Sequence, residues 1–486
     1  MMHNSFKKTI CLLLCTILTL PYFSFNCFAE QVIFPTYSDE ITSKAALVID
    51  ADSSFTLYEK NANDKMYPAS LAKIMTAIIV MEKSNGNYDD MVNFSYNAVT
   101  RDIDRASATI GASAGDQLSV RDCLYSLLLP SANDVANALA EYVAGSISDF
   151  ALLMNEKAQN LGCTNTNFVN PSGLHDDNQY TSALDMAKIL QYALTFPLFT
   201  QISSSVSYRH APIRRYKNPE NSNNQVLNTN GIVVPGSGYY YNGITSGKTG
   251  HTSLAGYNLA ASARRHNMNI ICVLLGGKTD KVRYNEAKSL FDYYFNNYES
   301  PKIKDVDPRF KENLGTIAIN SVDLVDTLDI TCSDSAHITI PNGTNYQDVV
   351  SELSFQVEDM YDKYAIGTIR YYLDGILVGK CSVRGLNANL SQSIFTGNLD
   401  LSSRMSDDNN NASNTNNTNE ITNNALIYRN SSGALVISPT LSTLFIIIIT
   451  MIVSISLFVF LYLKVFTNSN FPVRKIIFRL KRRFKR

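Results

Sequence analysis

Cysteine is scarce in this sequence, and none of it stands at a metal-binding spacing. Of eight cysteines, Cys11, Cys15 and Cys27 fall within the first 29 residues; Cys123, Cys163, Cys272, Cys332 and Cys381 remain, odd in number and far apart. That excludes a dense disulfide framework and gives no ligand set for a metal, so we expect no metal and no cofactor; most of the five read as small core residues. A basic patch is missing as well. The two ends, residues 1–29 and 464–486, carry eleven of the 42 Lys and Arg residues and none of the 43 acidic ones. The middle of the chain is therefore acidic, and nothing in it suggests nucleic acid as a partner. Charge is absent altogether from residues 441–463, "LSTLFIIIITMIVSISLFVFLYL".

What is present at the ends reads as targeting. Lys7 and Lys8 precede the apolar run from Ile10 to Leu20, and Cys27 and Ala29 offer small residues for cleavage after Ala29. Residues 1–29 thus look like a secretory signal; Pro21, Ser24 and Asn26 interrupt the run and argue against a retained helix. Residues 441–463 are long enough to span a bilayer as one transmembrane helix. The basic tail, residues 464–486, should then stay in the cytoplasm, leaving the bulk of a single-pass cell-membrane protein outside. Val473, Ile476, Ile477, Leu480 and Phe484 share one helical face in that tail. A short helix on anionic lipid and a disordered stop-transfer tail both fit.

Between the ends, "AALVIDADSSFTLYEKN" reads as two strands joined at Asp52-Ser53-Ser54. Helical patterns dominate from Pro68 to about Leu194. "AGYNLAASARRHNMNIICVLLGG" reads as a hairpin turning at residues 264–267, and "RYNEAKSLFDYYFNNY" as a last helix. Strands at both ends with helices between them imply a sheet of sequence-distant pieces, an α/β or α+β domain over residues 34–298. Residues 305–397 read as a small all-β domain. The Asn/Ser/Thr tract opens a spacer over residues 402–439 with a coil reach on the order of 35 Å.

Three stretches carry candidate chemistry. In "YPASLAKIMTAIIVM", Leu71, Ile74, Met75, Ile78 and Ile79 form a helical stripe, so the spacing predicts a buried helix over residues 67–81. Lys73 is its only charge inside, three residues past Ser70. A buried lysine with a lowered pKa can take the proton of a neighbouring serine and make it a nucleophile. An ordinary helical serine beside a lysine that reaches solvent is the other reading of that pair. In "LLLPSANDVANALAEYVAG", Pro130 breaks one helix and another runs from about Asn133 to Ala144. Ser131 and Asn133 then sit on a loop facing a cleft, or merely cap the second helix. The Ser-x-Asn spacing recurs at Ser95/Asn97 and Ser222/Asn224 and means little alone. In "SGKTGHTSLAGYNL", Gly247 and Gly250 flank Lys248 and Thr249 at a strand, where a cation and a hydroxyl could grip a carboxylate and an extended peptide could add to the edge. A plain Gly-rich turn is the alternative.

Taken in order, Ser70-x-x-Lys73, Ser131-x-Asn133 and Lys248-Thr249-Gly250 resemble the motif trio of the penicillin-binding proteins and serine β-lactamases. The words around them, "YPASLAKIMTA", "LLLPSANDVANALAE", "NPSGLHDDNQYTSALDMA" and "SGKTGHTSLAGYNLAASA", resemble the serine-type D-Ala-D-Ala carboxypeptidases, the low-molecular-mass penicillin-binding proteins. The resemblance runs over residues 34–298 and more weakly to about residue 397. It implies the penicillin-binding-protein/serine β-lactamase-like transpeptidase fold, an antiparallel sheet with an inserted helical subdomain. It implies peptidoglycan stem peptides as substrate, β-lactams as covalent inhibitors, Ser70 as nucleophile and Lys73 as its base. Ser131 would relay a proton to the leaving nitrogen, and Asn133 would hold the substrate backbone. Lys248 and Thr249 would bind the terminal carboxylate, and the N–H groups of Ser70 and His251 would form the oxyanion hole. A β-lactamase on the same scaffold is the rival reading, disfavoured because residues 161–187 contain no glutamate. A silent wall-binding protein is the other. His175 reads as structural. Many members of the resembled family are held by an amphipathic C-terminal helix, whereas here an uncharged span precedes the basic tail.

Overall fold

The computed structural model describes residues 32–101, 103, 107–214, 224–311, 315–317, 328–354, 365–385, 427–429 and 435–437. The expected signal (1–29), membrane span (441–463) and basic tail (464–486) lie outside them. Among the described residues no helix is long and apolar enough to cross a membrane. The chain divides into two compact units, residues 1–346 with 352–387, and residues 347–351 with 388–486. In the second, within the stretch read as a spacer, Ile427–Arg429 and Leu435–Ile437 pair as a short antiparallel ladder.

In chain order, the strands of the main body are β1 (Ala45–Asp50), β2 (Thr56–Lys60), β3 (Met91–Asn93), β4 (Gln117–Ser119), β5 (Ser207–Arg209), β6 (Gln225–Leu227), β7 (Ile244–Thr252), β8 (Gly256–Arg265) and β9 (Met268–Gly277). The helices are α1 (Ala72–Ser84), α2 (Tyr96–Thr100), α3 (Val120–Leu128), α4 (Asn133–Ala144), α5 (Ile147–Asn160), α6 (Ala183–Ala193), α7 (Pro197–Ser203) and α8 (Asp280–Asn297). Ser95, Ser119, Ser146, Ser182 and Thr279 each cap a helix by accepting the backbone N–H three residues on.

The central sheet has the order β2-β1-β9-β8-β7, with every pair antiparallel. β1 and β9 are buried along their whole length and do not alternate with polar residues, because both faces of the sheet are covered. Leu47, Ile49, Ile271, Val273 and Leu275 face a core shared with α1 and α3 to α6. Ala46, Val48, Ile270, Cys272 and Leu274 face Tyr284, Leu290, Phe291 and Tyr294 of α8. Helix α1 lies inside this arrangement, with every residue from Ala72 to Met81 buried. The strand β7 closes the sheet, and among the described residues its outer edge has no partner strand.

After α8 come β10 (Tyr298–Glu299), β11 (Gly315–Ile317), β12 (Leu328–Cys332), β13 (Ile340–Pro341), β14 (Val350–Ser354), β15 (Ala365–Leu373) and β16 (Ile376–Gly385). β15 and β16 form a hairpin around Asp374-Gly375, both at positive φ, as a two-residue mirror-image turn requires. Apart from residues 347–351, this strand-rich segment shares the compact unit of the main sheet. The Thr339 hydroxyl lies 3.0 Å from Asp50 Oδ2 and 2.6 Å from Ser53 Oγ, at the end of β1.

The entry to β1 is held from α8. Glu286, nearly buried, accepts from Thr42 N (2.5 Å), Thr42 Oγ1 (2.8 Å), Ser43 N (3.2 Å) and Ser43 Oγ (2.5 Å). Glu286→Ala strands these donors and should cost about 2–4 kcal/mol. Urea denaturation followed by circular dichroism measures it. A midpoint equal to that of the parent would remove this anchor from the account.

Candidate active site

Pro68 and a left-handed Ala69 (φ 48°) start the chain into α1. Residues Ala69–Leu71 form a 3-10 turn, and the α-helix proper begins at Ala72. The helix expected over residues 67–81 is therefore shorter at its start, and Ser70 sits on the tight turn ahead of it. The tightness comes from close neighbours. A methyl group on Gly173 would lie 1.8 Å from the Ala69 carbonyl oxygen, and one on Gly250 would lie 2.8 Å from Pro68 O and 3.1 Å from Ser70 N. Asn258 of β8 clamps the same turn, donating from Nδ2 to Tyr67 O (2.9 Å) and Pro68 O (3.1 Å) while accepting from Gly276 N (2.8 Å).

Lys73 is fully buried, which rules out the reading in which it reaches solvent. Its Nζ lies 2.6 Å from Ser172 O, 2.7 Å from Asn133 Oδ1 and 3.1 Å from Ser70 Oγ. Burial, and then the charge of Lys248, hold its pKa well below the ordinary lysine value; Asp134 opposes them. A neutral amine keeps two N–H donors and one lone pair. If the two shorter contacts take the donors, the lone pair faces the Ser70 hydroxyl.

Ser131 and Asn133 do not cap α4. The N-cap is Ala132, with no side-chain bond, and Asn133 is the first helical residue. Ser131 sits at φ 66°, and its Oγ is buried without a hydrogen-bond partner. A strained residue with a buried, unpartnered hydroxyl is a feature of functional sites.

Lys248 is buried on β7 and donates to the Thr249 carbonyl at 2.9 Å. Burial, then the Arg283 guanidinium, push its pKa down to about 7. The charge of Lys248 thus acts on Lys73, while Arg283, a residue the motifs did not mark, is the cation acting on Lys248. Arg283 reaches in from α8, donating to Gly250 O (3.2 Å) and Asn258 O (3.0 Å). Gly247 is needed for packing: a methyl there would meet Asn230 Nδ2 at 2.5 Å. His251 is exposed, its ring 4.2 Å from that of Tyr257. His175 lies edge-on to Tyr67 at 4.7 Å.

All three motifs thus meet at one place, and Gly250 carries the third against the turn of the first. The sequence reading missed the Ser172 carbonyl, Asn258, Arg283, Asn230 and Asp134. Ser172 and Asn258 did lie inside the quoted "NPSGLH" and "AGYNL" words, but nothing in residue type alone gave them roles.

In the folded state Lys248 loses its proton near pH 7, against 10.5 as the ordinary value. Between those values the unfolded chain binds a proton that the folded chain does not. Stability therefore falls as pH drops through this window and levels off below about 7. Lys248→Met removes that penalty. We expect its Tm to exceed that of the parent at pH 6, with the gap closing towards pH 10.5. A parent more stable than the variant at pH 6 would contradict the assignment.

Residues 32–279 match the family model described as D-alanyl-D-alanine carboxypeptidase. The chain is 31% identical over 357 residues to D-alanyl-D-alanine carboxypeptidase DacF of Bacillus subtilis, covering 72% of this chain and 85% of that protein. It is 31% identical over 379 residues to DacA of Haemophilus influenzae, covering 75% and 89%. Among solved structures, penicillin binding protein 5 from Haemophilus influenzae superposes with a TM-score of 0.58 at 28% identity, over 73% of this chain and 99% of that one. With its motifs gathered on that fold, the chain belongs to the D-alanyl-D-alanine carboxypeptidase family.

Proposed function

We propose that this serine-type D-Ala-D-Ala carboxypeptidase works through an acyl-enzyme on Ser70, trimming the terminal D-alanine from peptidoglycan stem peptides. The observation that carries the reading is a fully buried Lys73 with Nζ 3.1 Å from Ser70 Oγ. Neutral Lys73 takes the Ser70 proton as Oγ attacks the carbonyl carbon of the penultimate D-Ala. The oxyanion is received by the N–H groups of Ser70 and His251. Ser131, whose hydroxyl has no other partner, passes the proton to the leaving nitrogen, and the C–N bond breaks to release D-alanine. Water then hydrolyses the ester. Lys248 and Thr249 hold the terminal carboxylate, the free edge of β7 pairs with the substrate backbone, and Asn133 Nδ2 remains available to it. β-Lactams acylate the same serine.

A β-lactamase is the less favoured reading. The loop over residues 161–187 presents the backbone carbonyl of Ser172 to Lys73, and a carbonyl cannot serve as a base for a deacylating water. For localisation, we read residues 1–29 as a signal and residues 441–463 as a membrane span. Residues 305–397 would be a β-rich domain and the spacer a tether, holding the enzyme outside the membrane. The uncharged stretch and the basic tail after it support that reading.

Fluorescent penicillin should label the parent and not Ser70→Ala, and the parent should release D-alanine from diacetyl-Lys-D-Ala-D-Ala. Absence of D-alanine release by labelled-competent enzyme would sink the carboxypeptidase reading, and fast antibiotic turnover would favour the β-lactamase. The pH dependence has a definite shape. kcat/KM should rise as Lys73 loses its proton, and fall on the alkaline side as Lys248 loses the charge that binds carboxylate, through about pH 7 in the free enzyme. A profile that climbs without decline to pH 9 would contradict the carboxylate role of Lys248.

A further inference from the structure

Asp134 follows Asn133 at the start of α4 and is 2% exposed. Its carboxylate accepts from four backbone N–H groups: Ile110 (3.2 Å), Gly111 (3.1 Å), Ala112 (3.2 Å) and Val135 (3.0 Å). Three of these belong to the loop ahead of β4. The neighbouring Asn133 N donates to Ala108 O of that loop at 2.7 Å. The loop is thus bound to the Ser131-Ala132-Asn133 turn largely through one carboxylate. The charges around it are uneven. Lys73 of α1, whose Nζ lies 2.7 Å from Oδ1 of Asn133, next in the chain to Asp134, feels the charge of Asp134 against that of Lys248 of β7, and Lys248 in turn feels Arg283 of α8. Cys123 of α3 also faces Asp134, with Asp122 beside it. Burial raises the Asp134 carboxyl above its ordinary value, and the loop N–H groups pull it back down.

We propose that Asp134 is a positioning residue for the reaction: its carboxylate fastens the 107–112 loop to the Ser131–Asn133 turn and is the counter-charge that balances Lys73 against Lys248. The proposal rests on the acyl-enzyme reading. At the α4 N-terminus Ala132 offers no side-chain cap, so beyond the single Asn133 N–H the loop is held through the Asp134 carboxylate. A neutral asparagine offers one carbonyl oxygen where four donors converge, and its NH2 group would face some of them. The loop, and with it the seat of Ser131 and Asn133, would loosen. Removing the negative charge leaves burial and the Lys248 charge unopposed at Lys73, whose remaining oxygen neighbours are neutral, so it would give up its proton at lower pH. Glutamate retains the charge but displaces it by one methylene.

The test is the pH profile of the second-order acylation rate with a fluorescent penicillin, for the parent, Asp134→Asn and Asp134→Glu. The parent profile checks the underlying reading separately: no acylation by the parent sinks the acyl-enzyme itself. With the parent active, Asp134→Asn should lower the plateau rate about tenfold or more and move the acid-limb midpoint down by about one pH unit. Asp134→Glu should lower the plateau and leave the midpoint within about 0.3 unit of the parent. A merely structural carboxylate would lower the plateau of both variants and move neither midpoint, which overturns the counter-charge. An unchanged plateau in Asp134→Asn overturns the anchor. Should Asp134→Asn fail to fold, the Asp134→Glu plateau decides the anchor: an unchanged plateau overturns the proposal, and a lowered one with the midpoint in place supports it.

Discussion

Everything in the site depends on burying an amine among acceptors. Lys73 has no water to solvate it, so its three oxygen neighbours decide what it is. As an ammonium it would satisfy all three; as an amine it satisfies two and turns a lone pair to Ser70. The distances rank the neighbours in that order, with Ser70 the farthest. Burial tips the balance towards the amine, because a charge in an apolar interior is costly. The same helix that removes water from Lys73 is the one that fixes Ser70 three residues earlier, so one packing decision supplies the serine, the amine and the dry surroundings that the proposed reaction needs.

That burial needs a layered fold. Helix α1 can be enclosed because the sheet covers one side and the helical insertion the other. Among the described residues β7 ends the sheet, and its outer edge is where the proposed substrate would pair. Close approach of β7 to the Ser70 turn is possible only with hydrogen at position 250, and approach of the 170s loop only with hydrogen at position 173. The glycines in the motif words are therefore distance settings between separate pieces of chain.

Much of this was legible in the residues, and what was not has a physical reason. The stripe of Leu71, Ile74, Met75, Ile78 and Ile79 marks a core helix, and the unbroken apolar runs of β1 and β9 mark a sheet covered on both faces. The 3-10 turn at Ser70 was not legible, because Ala69 is driven to positive φ by contacts with residues a hundred and more positions away. Capping was misjudged as an option at α4: Ser131 is a good capping residue by type, but its backbone is held left-handed and its hydroxyl turns elsewhere. Arg283 was hidden for a similar reason. A lone arginine in a surface-like helix pattern gives no hint that it reaches through to the Gly250 carbonyl.

The site also gathers features that a merely stable protein would avoid. Lys73 and Lys248 are buried lysines, the Ser131 hydroxyl and Asn230 Nδ2 are buried without partners, and Ala69 and Ser131 hold left-handed backbones. Each costs folding free energy on its own. These features sit where β7 approaches the turn at Ser70, on a body whose sheet faces are covered and five of whose helices carry side-chain caps. A ligand carrying a carboxylate and a peptide carbonyl would relieve several of these costs together, by restoring charge to Lys248 and giving the Ser131 hydroxyl a partner. That relief ties substrate affinity to the same strain that makes the unliganded site reactive.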